Sequence, residues 1–261
     1  MRALRVAIFG ASGRMGRAVL RVAVERGHEV ACAIATADVG ADAGTLAGLA
    51  PLGVAVAGSL DALAGARADV VVDFSAPGAV PALADACAAC GVALVSGTTG
   101  LDDAGRAALD RAAARVPVLW EPNMSVGVWV LSRLVERAIA LLGPGFDVEI
   151  VETHHRQKID APSGTALRLA EVAKEARGDA RFVYGREGKP GARTDGEIAV
   201  LAMRGGDVIG DHTVHLLGMG ERIELSHKAS SRELFARGAL RAGEWLAGRA
   251  AGRYGLGDVL G

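Results

Sequence analysis

The sequence predicts an α/β chain in two parts: a doubly wound parallel-sheet domain, then a second α+β domain with a mostly antiparallel or mixed sheet. Three observations carry that prediction. Through residue 120, short apolar runs alternate with helix-period stretches, the order expected of a buried parallel sheet wrapped by helices. A glycine turn, Gly10-Ala11-Ser12-Gly13-Arg14-Met15-Gly16, separates the first strand pattern from the first helix pattern. Between residues 196 and 228, several β-like runs follow one another with glycine turns between them.

Residues 4–9 read as a short buried strand, and Ala18 to Val24 open a helix. Residues 30–35 read as the second strand. Residues 39–58, rich in glycine and alanine, read as a loop with a short edge strand. Asp69 to Ser75 is a buried strand reaching a turn at Ala76-Pro77-Gly78, and a helix follows to Cys90. Val92 to Ser96 is the next strand, capped by Gly97-Thr98-Thr99-Gly100. A helix over 102–115 and a strand over Pro117–Trp120 complete the alternation. Val128, Leu131, Val135, Ile139 and Leu142 recur at helical spacing, which predicts a helix over 127–142. Asp147 to Thr153 reads as a strand and 164–177 as a helix. The charged, glycine-rich segment from Arg181 reads as a solvated loop. Ile198 to Leu201, Val208-Ile209, Thr213 to Leu217 and Arg222 to Ser226 are the β-like runs, and a final helix over 233–248 is expected to return to the first domain.

Composition narrows the function. The chain has 261 residues and is 51% hydrophobic, enough for a sizeable core, with aromatics at only 4%. A net charge of −1 without a basic run gives no reason to expect nucleic acid or an anionic membrane as partner. No apolar run approaches the roughly 20 residues that span a bilayer. Arg5 and Gly10 interrupt the N-terminal apolar residues too early for a secretory leader, so a soluble cytoplasmic protein is expected. Cys87-Ala88-Ala89-Cys90 has redox or metal half-site spacing, but no second Cys/His pair completes a set; the pair reads as small apolar residues one helical turn apart, and no metal is expected.

Chemistry concentrates in Glu152-Thr153-His154-His155-Arg156-Gln157-Lys158-Ile159-Asp160-Ala161-Pro162-Ser163-Gly164-Thr165-Ala166. Two histidines can move protons near neutral pH, and the lysine can hold a carboxylate. Ser163 is an N-cap candidate, and the backbone N–H groups after it would face outward with the positive end of the helix dipole. Proton donors beside an anion cradle suit a small anionic substrate that must be protonated. Taken alone, either histidine reads as an ordinary residue at a strand end. In a continued strand the two side chains would point to opposite faces, so both reach one site only if the strand ends or bends there.

This stretch closely resembles the signature of the 4-hydroxy-tetrahydrodipicolinate reductases, also called dihydrodipicolinate reductases, and the resemblance runs along nearly the whole chain. GASGRMGR is similar to that family's cofactor loop, although its glycines at 10, 13 and 16 depart from the common dinucleotide spacing, which would put them at 10, 12 and 15. The resemblance implies a Rossmann-like cofactor domain over 1–125 with a returning segment 235–261, and a substrate-binding and oligomerisation domain over 126–234. It implies His154 and Lys158 as proton donors, with His155, Gly164 and Thr165 on the substrate. It implies NADH or NADPH held by Gly10, Ala11, Ser12, Gly13, Arg14 and Met15, by Gly97, Thr98 and Thr99, and by Glu121, Pro122, Asn123 and Met124, the first two of that last group through backbone. The implied substrate is a cyclic dicarboxylate, the implied pathway that of lysine and diaminopimelate, and the implied assembly a homotetramer joined through the second sheet. Closure between the domains, with hinges near 125–127 and 230–235, is a further expectation.

The family's acidic ribose-binding position falls at Ala35, with Thr36 next. Asp38 either takes over that role or is a solvated loop charge. Losing the carboxylate removes repulsion toward a 2′-phosphate, which Arg14 is placed in sequence to reach, so NADPH is expected to be tolerated beside NADH. A different nicotinamide oxidoreductase and a non-catalytic nucleotide sensor are the other readings. Neither requires two histidines followed by Lys-x-x-x-x-Ser-Gly-Thr.

Overall fold

The computed structural model describes residues 2–178 and 180–261. The chain divides into two compact units, Met1–Val126 with Arg232–Gly261, and Gly127–Ser231. From sequence, the boundaries were expected at 125/126 and 234/235.

The first unit is built on one parallel sheet. Its strands are β1 (Arg5–Phe9), β2 (Glu29–Ile34), β3 (Val56–Ala57), β4 (Val70–Asp73), β5 (Ala93–Ser96), β6 (Pro117–Trp120) and, far along the chain, β12 (Gly252–Tyr254). They lie in the order β12-β6-β5-β4-β1-β2-β3, every neighbour parallel. The helices of this unit are α1 (Arg14–Glu25), α2 (Ala43–Leu46), α3 (Ala62–Ala66), α4 (Val80–Cys90), α5 (Asp103–Ala113), α8 (Glu233–Leu246) and α9 (Leu256–Leu260). Helices α1 and α8 pack together, with α8 also on β4, β5 and β6; α4 and α5 pair as a second layer over β5 and β6. Covered on both faces, the central strands are buried along their whole length, which is why they read as unbroken apolar runs.

The α8 segment is held to this unit by charge as well as packing. Arg21 pairs with Glu233 at 2.9 Å, Arg237 with Glu25 at 2.7 Å, and Glu244 takes both Arg26 at 3.2 Å and the buried His28 at 2.9 Å. The sequence predicts α8 as the final helix; β12 and α9 follow it, and β12 adds the edge strand beside β6. The four residues of α2 were also not foreseen in the glycine- and alanine-rich stretch.

The second unit carries a five-stranded sheet: β7 (Asp147–His154), β8 (Arg181–Val183), β9 (Glu197–Arg204), β10 (Gly210–Leu217) and β11 (Arg222–Ala229), in the order β11-β10-β7-β9-β8. Two pairings are antiparallel and two parallel, so the sheet is mixed. Helices α6 (Val126–Leu142) and α7 (Gly164–Arg177) bury their apolar sides with Val148, Ile150, Ile198, Val200, Val214 and Leu216. β7 alternates strictly between half-buried and buried residues, as a strand with one covered face should. One expectation is corrected and one holds in part, since residues 184–195 form a mostly exposed loop. Val208-Ile209 is not a strand but the lead into β10. The segment after residue 180 begins as β8, and its arginines are pinned: Arg186 bridges Glu149 and Glu197, and Arg193 bridges Asp147 and Glu149.

Close packing of α8 rests on one residue lacking a side chain. A Cβ at Gly238 would stand 1.8 Å from the Met124 carbonyl oxygen. Gly238→Ala is expected to lower stability by about 1–3 kcal/mol, read from the midpoint of thermal unfolding.

Candidate functional site

In the first unit a cavity of about 640 Å³ opens at the carboxyl ends of β1, β2 and β4. Gly10, Ser12 and Gly13 line it with Ile34, Ala35, Thr36, Phe74 and Ser75. The turn must be made of glycine. Gly10 has φ +81°, and a Cβ there would come 2.6 Å from the Phe74 carbonyl; one on Gly16 would come 2.2 Å from the Gly10 carbonyl. Gly10 and Gly16 therefore let the turn fold onto itself despite the shifted spacing, and α1 starts at Arg14 with its first amides open and no side-chain cap. Ala11 is buried beneath the turn. Arg14 is exposed and, with Met15, lies outside the lining.

Gly97, Thr98 and Thr99 follow β5, and Glu121, Pro122, Asn123 and Met124 follow β6, all outside that cavity's lining. Thr98 turns inward. Its hydroxyl donates to Asp73 at 2.8 Å, and its carbonyl accepts from the Trp120 indole at 2.9 Å. Asp73, fully buried at the end of β4, also accepts from the Ser96 hydroxyl at 2.6 Å and the Ser75 amide at 2.9 Å. Burial pushes its carboxyl up, against the pull of those donors. Sequence reasoning passed over Asp73, although a carboxylate closing a run of valines was the available signal. Asp38 does not line the cavity; it sits at φ +57° and pairs with Arg17 at 3.4 Å.

In the second unit, strand register assembles a cluster. His154 ends β7, and Glu152 lies two residues earlier on the same buried face. Register sets His212 of β10 opposite Glu152, and Arg204 of β9 opposite His154. Glu152 is wholly buried. It accepts from both terminal nitrogens of Arg204 at 2.8 Å, from the Ser163 amide at 2.9 Å, and meets His154 Nδ1 at 2.5 Å. Burial alone would push this carboxyl up; Arg204, His154 and the Ser163 amide outweigh it and hold it below the usual carboxylate range. An ionised Glu152 fixes the His154 tautomer: Nδ1–H donates to the carboxylate and Nε2 is left for other chemistry. Gly210 makes room for that ring, since a Cβ there would come 2.9 Å from Nε2.

The strand stops at His154, so His155 lies beyond it, half-buried, and the chain turns with Lys158 N–H donating to the His155 carbonyl at 3.1 Å. The Lys158 ammonium pairs with Asp160 at 2.9 Å. Ser163 caps α7, its hydroxyl accepting from the Ala166 amide at 3.2 Å, and Gly164 and Thr165 are the first two helical residues. Glu152, Arg204 and His212 were not singled out from sequence; a glutamate two residues before a histidine in an alternating strand was the legible hint. Among the described residues, no group of three or more His, Cys, Asp or Glu is placed to hold a metal ion, and no helix is long and apolar enough to cross a membrane.

A parallel sheet with a glycine turn at the carboxyl ends of its strands, on a chain that also carries a histidine held by a buried carboxylate beside a capped helix start, defines a Rossmann-type oxidoreductase. Comparison with known proteins is specific. Residues 4–124 match the family described as dihydrodipicolinate reductase, N-terminus, and residues 127–260 match dihydrodipicolinate reductase, C-terminus. The chain is 51% identical to a 4-hydroxy-tetrahydrodipicolinate reductase of Myxococcus xanthus, covering 99% of this chain and 98% of that one. It is 52% identical to the protein of that name from Thiobacillus denitrificans, with the same coverage. Among solved structures, a dipicolinate-bound dihydrodipicolinate reductase from Paenisporosarcina sp. TG-14 superposes with a TM-score of 0.79 at 27% identity, over 97% of this chain and 98% of that chain. The chain belongs to the dihydrodipicolinate reductase family.

His212 supplies a pH test of this cluster. Burial pushes its ring down to about 4 from the ordinary 6.5, with the neighbouring His154 charge adding to the shift. The unfolded chain therefore takes up the proton first, so stability is full above pH 6.5 and falls as pH drops toward 4. That loss is about 3 kcal/mol. Glu152, held low, adds its own loss once pH falls below its ordinary value of 4.5, at the low end of that window. In urea unfolding, His212→Gln is expected to flatten the pH 6.5–4 slope, and an unchanged slope would assign it to another group.

Proposed function

We propose that the chain reduces 4-hydroxy-tetrahydrodipicolinate to tetrahydrodipicolinate with NADH or NADPH, releasing water, in lysine and diaminopimelate biosynthesis. The observation that carries this reading is the Glu152–His154 pair beside the capped α7 start, within a chain of this family. The substrate is a cyclic dicarboxylate. Loss of its hydroxyl leaves a conjugated imine, and a bound reduced nicotinamide supplies the hydride. The ring carbon that becomes enamine-like then needs a proton.

In this reading His154 delivers that proton from Nε2, while Nδ1–H stays with Glu152, so the ring ends the step as the neutral tautomer that the carboxylate already favours. Arg204 keeps Glu152 ionised and in place. Lys158 serves as the second donor and as a cation for substrate; its partner Asp160 is more than half exposed and can be exchanged for a substrate carboxylate. His155 contacts substrate, and the amides of Gly164 and Thr165 donate to a substrate carboxylate at the positive end of α7.

The first unit is read as the dinucleotide domain, and its cavity fits that reading: the glycine turn leaves backbone and the α1 amides open to a pyrophosphate. Gly10 through Met15, Gly97 to Thr99 and Glu121 to Met124 would hold the cofactor. Neither Ala35, Thr36 nor Ala37 puts a carboxylate in the lining, and Asp38 is engaged by Arg17, so NADPH should be accepted beside NADH. The second unit is read as the substrate and assembly domain of a homotetramer. Exposed Met203 and Ile223 on its strands are apolar surface that another subunit would cover. The three cysteines are free, in keeping with the cytoplasm.

Following NADH or NADPH oxidation with substrate generated in situ tests the whole reading. His154→Gln is expected to lower kcat by about 10²–10⁴-fold with little change in KM. Lys158→Ala should damage both constants. Normal turnover in both variants would remove the proton-transfer assignment, and a large preference for NADH would remove the cofactor assignment.

A further inference from the structure

Ser163 is gripped at two points by neighbouring strands. Its backbone N–H donates to Glu152 Oε1 of β7 at 2.9 Å, and its hydroxyl lies 3.1 Å from His212 Nε2 of β10. Those two residues are register partners across the β7–β10 pairing, so the sheet itself sets the distance between the grips. The hydroxyl already accepts from the Ala166 amide and must place its own proton elsewhere. With His212 neutral, Nε2 is the acceptor, and the chain of donation runs from helix amide to hydroxyl to imidazole. The ring's other nitrogen, Nδ1, is buried with no hydrogen-bond partner among the described residues, and the residue is 4% exposed. A nitrogen left in that state is a standing cost, so the ring is not explained by its own satisfaction. What it secures is the orientation of the residue that precedes Gly164 and Thr165.

We propose that Glu152 and His212 clamp Ser163 from two strands and thereby aim the first amides of α7, making His212 a positioning residue for carboxylate recognition. This rests on the reading of Gly164 and Thr165 as the carboxylate cradle. His212 transfers no proton and holds no substrate; it acts through Ser163. The ring also packs edge-on against His154 at 5.2 Å between centroids, so its effect on turnover must be separated from its effect on binding.

The test uses the full chain with His212→Leu, which removes the acceptor, and His212→Gln, which restores one. Two quantities are read: hydrogen exchange at the Ala166 amide without ligand, and dipicolinate affinity by calorimetry. His212→Leu is expected to speed Ala166 exchange and to weaken dipicolinate binding on the order of tenfold, with substrate KM raised more than kcat is lowered; His212→Gln should recover most of both. Ser163→Ala, alone and combined with His212→Leu, covers the case of a leucine variant that does not fold. The alanine variant should weaken dipicolinate binding similarly, and the double variant should be no worse than either single one. Unchanged Ala166 exchange in His212→Leu, or fully additive losses in the double variant, would overturn the clamp. Faster exchange with unchanged dipicolinate affinity would overturn the proposal by removing the cradle, leaving the Ser163 contact as a fold feature only.

Discussion

A single buried carboxylate organises the second unit. Glu152 lies out of water at the end of a central strand, and an isolated charge there would be strongly unfavourable. It is tolerated because four donors converge on it: two nitrogens of Arg204, the Ser163 amide and His154 Nδ1. The four donors belong to three residues, on β9, at the start of α7 and at the end of β7, so one charge fixes the end of β9, the start of α7 and the tilt of an imidazole together. Removing any partner leaves the others around an under-compensated ion, which couples the placement of the His154 ring to local folding at this point.

The first unit solves a similar problem with weaker partners. Asp73 is likewise buried at the carboxyl end of a central strand, yet its donors are hydroxyls and an amide, with no guanidinium. It ties the turn after β4 to the turn after β5, and the first of these lines the cavity. The contrast follows from the electrostatics: a group without a cation beside it has its carboxyl pushed up by burial, while Glu152 is pulled down by Arg204.

Much of this was legible in the amino-acid order. Strands β4, β5 and β6 announce themselves as short apolar runs, because both faces are covered and no alternation is needed. The Ser163 cap and the helix after it follow from local chemistry alone, and the structure places both where the residue types imply. Short edge elements were less visible. β8 and β12 have three residues each, and their pairing comes from neighbours remote in sequence. The same limit hid Arg204 and His212, whose meaning lies in register across strands. His154 and Lys158 stood out because their neighbours are adjacent in the chain; Glu152 stood beside them but reads as an ordinary strand charge until Arg204 is brought to it.

The returning segment has a consequence for biosynthesis. β6 is complete by residue 120, but the strand that pairs with its outer edge is not synthesised until residues 252–254, and α8 supplies packing for β4, β5 and β6 only after the whole second unit has been made. A nascent chain emerging from the ribosome therefore holds an apolar sheet face open for roughly 110 more residues and an unpaired backbone edge open for roughly 130, a span of about 6–26 s at ordinary elongation rates. During that interval the early strands are exposed to chaperones and to wrong neighbours. The second unit, continuous in sequence, can close before the first one does.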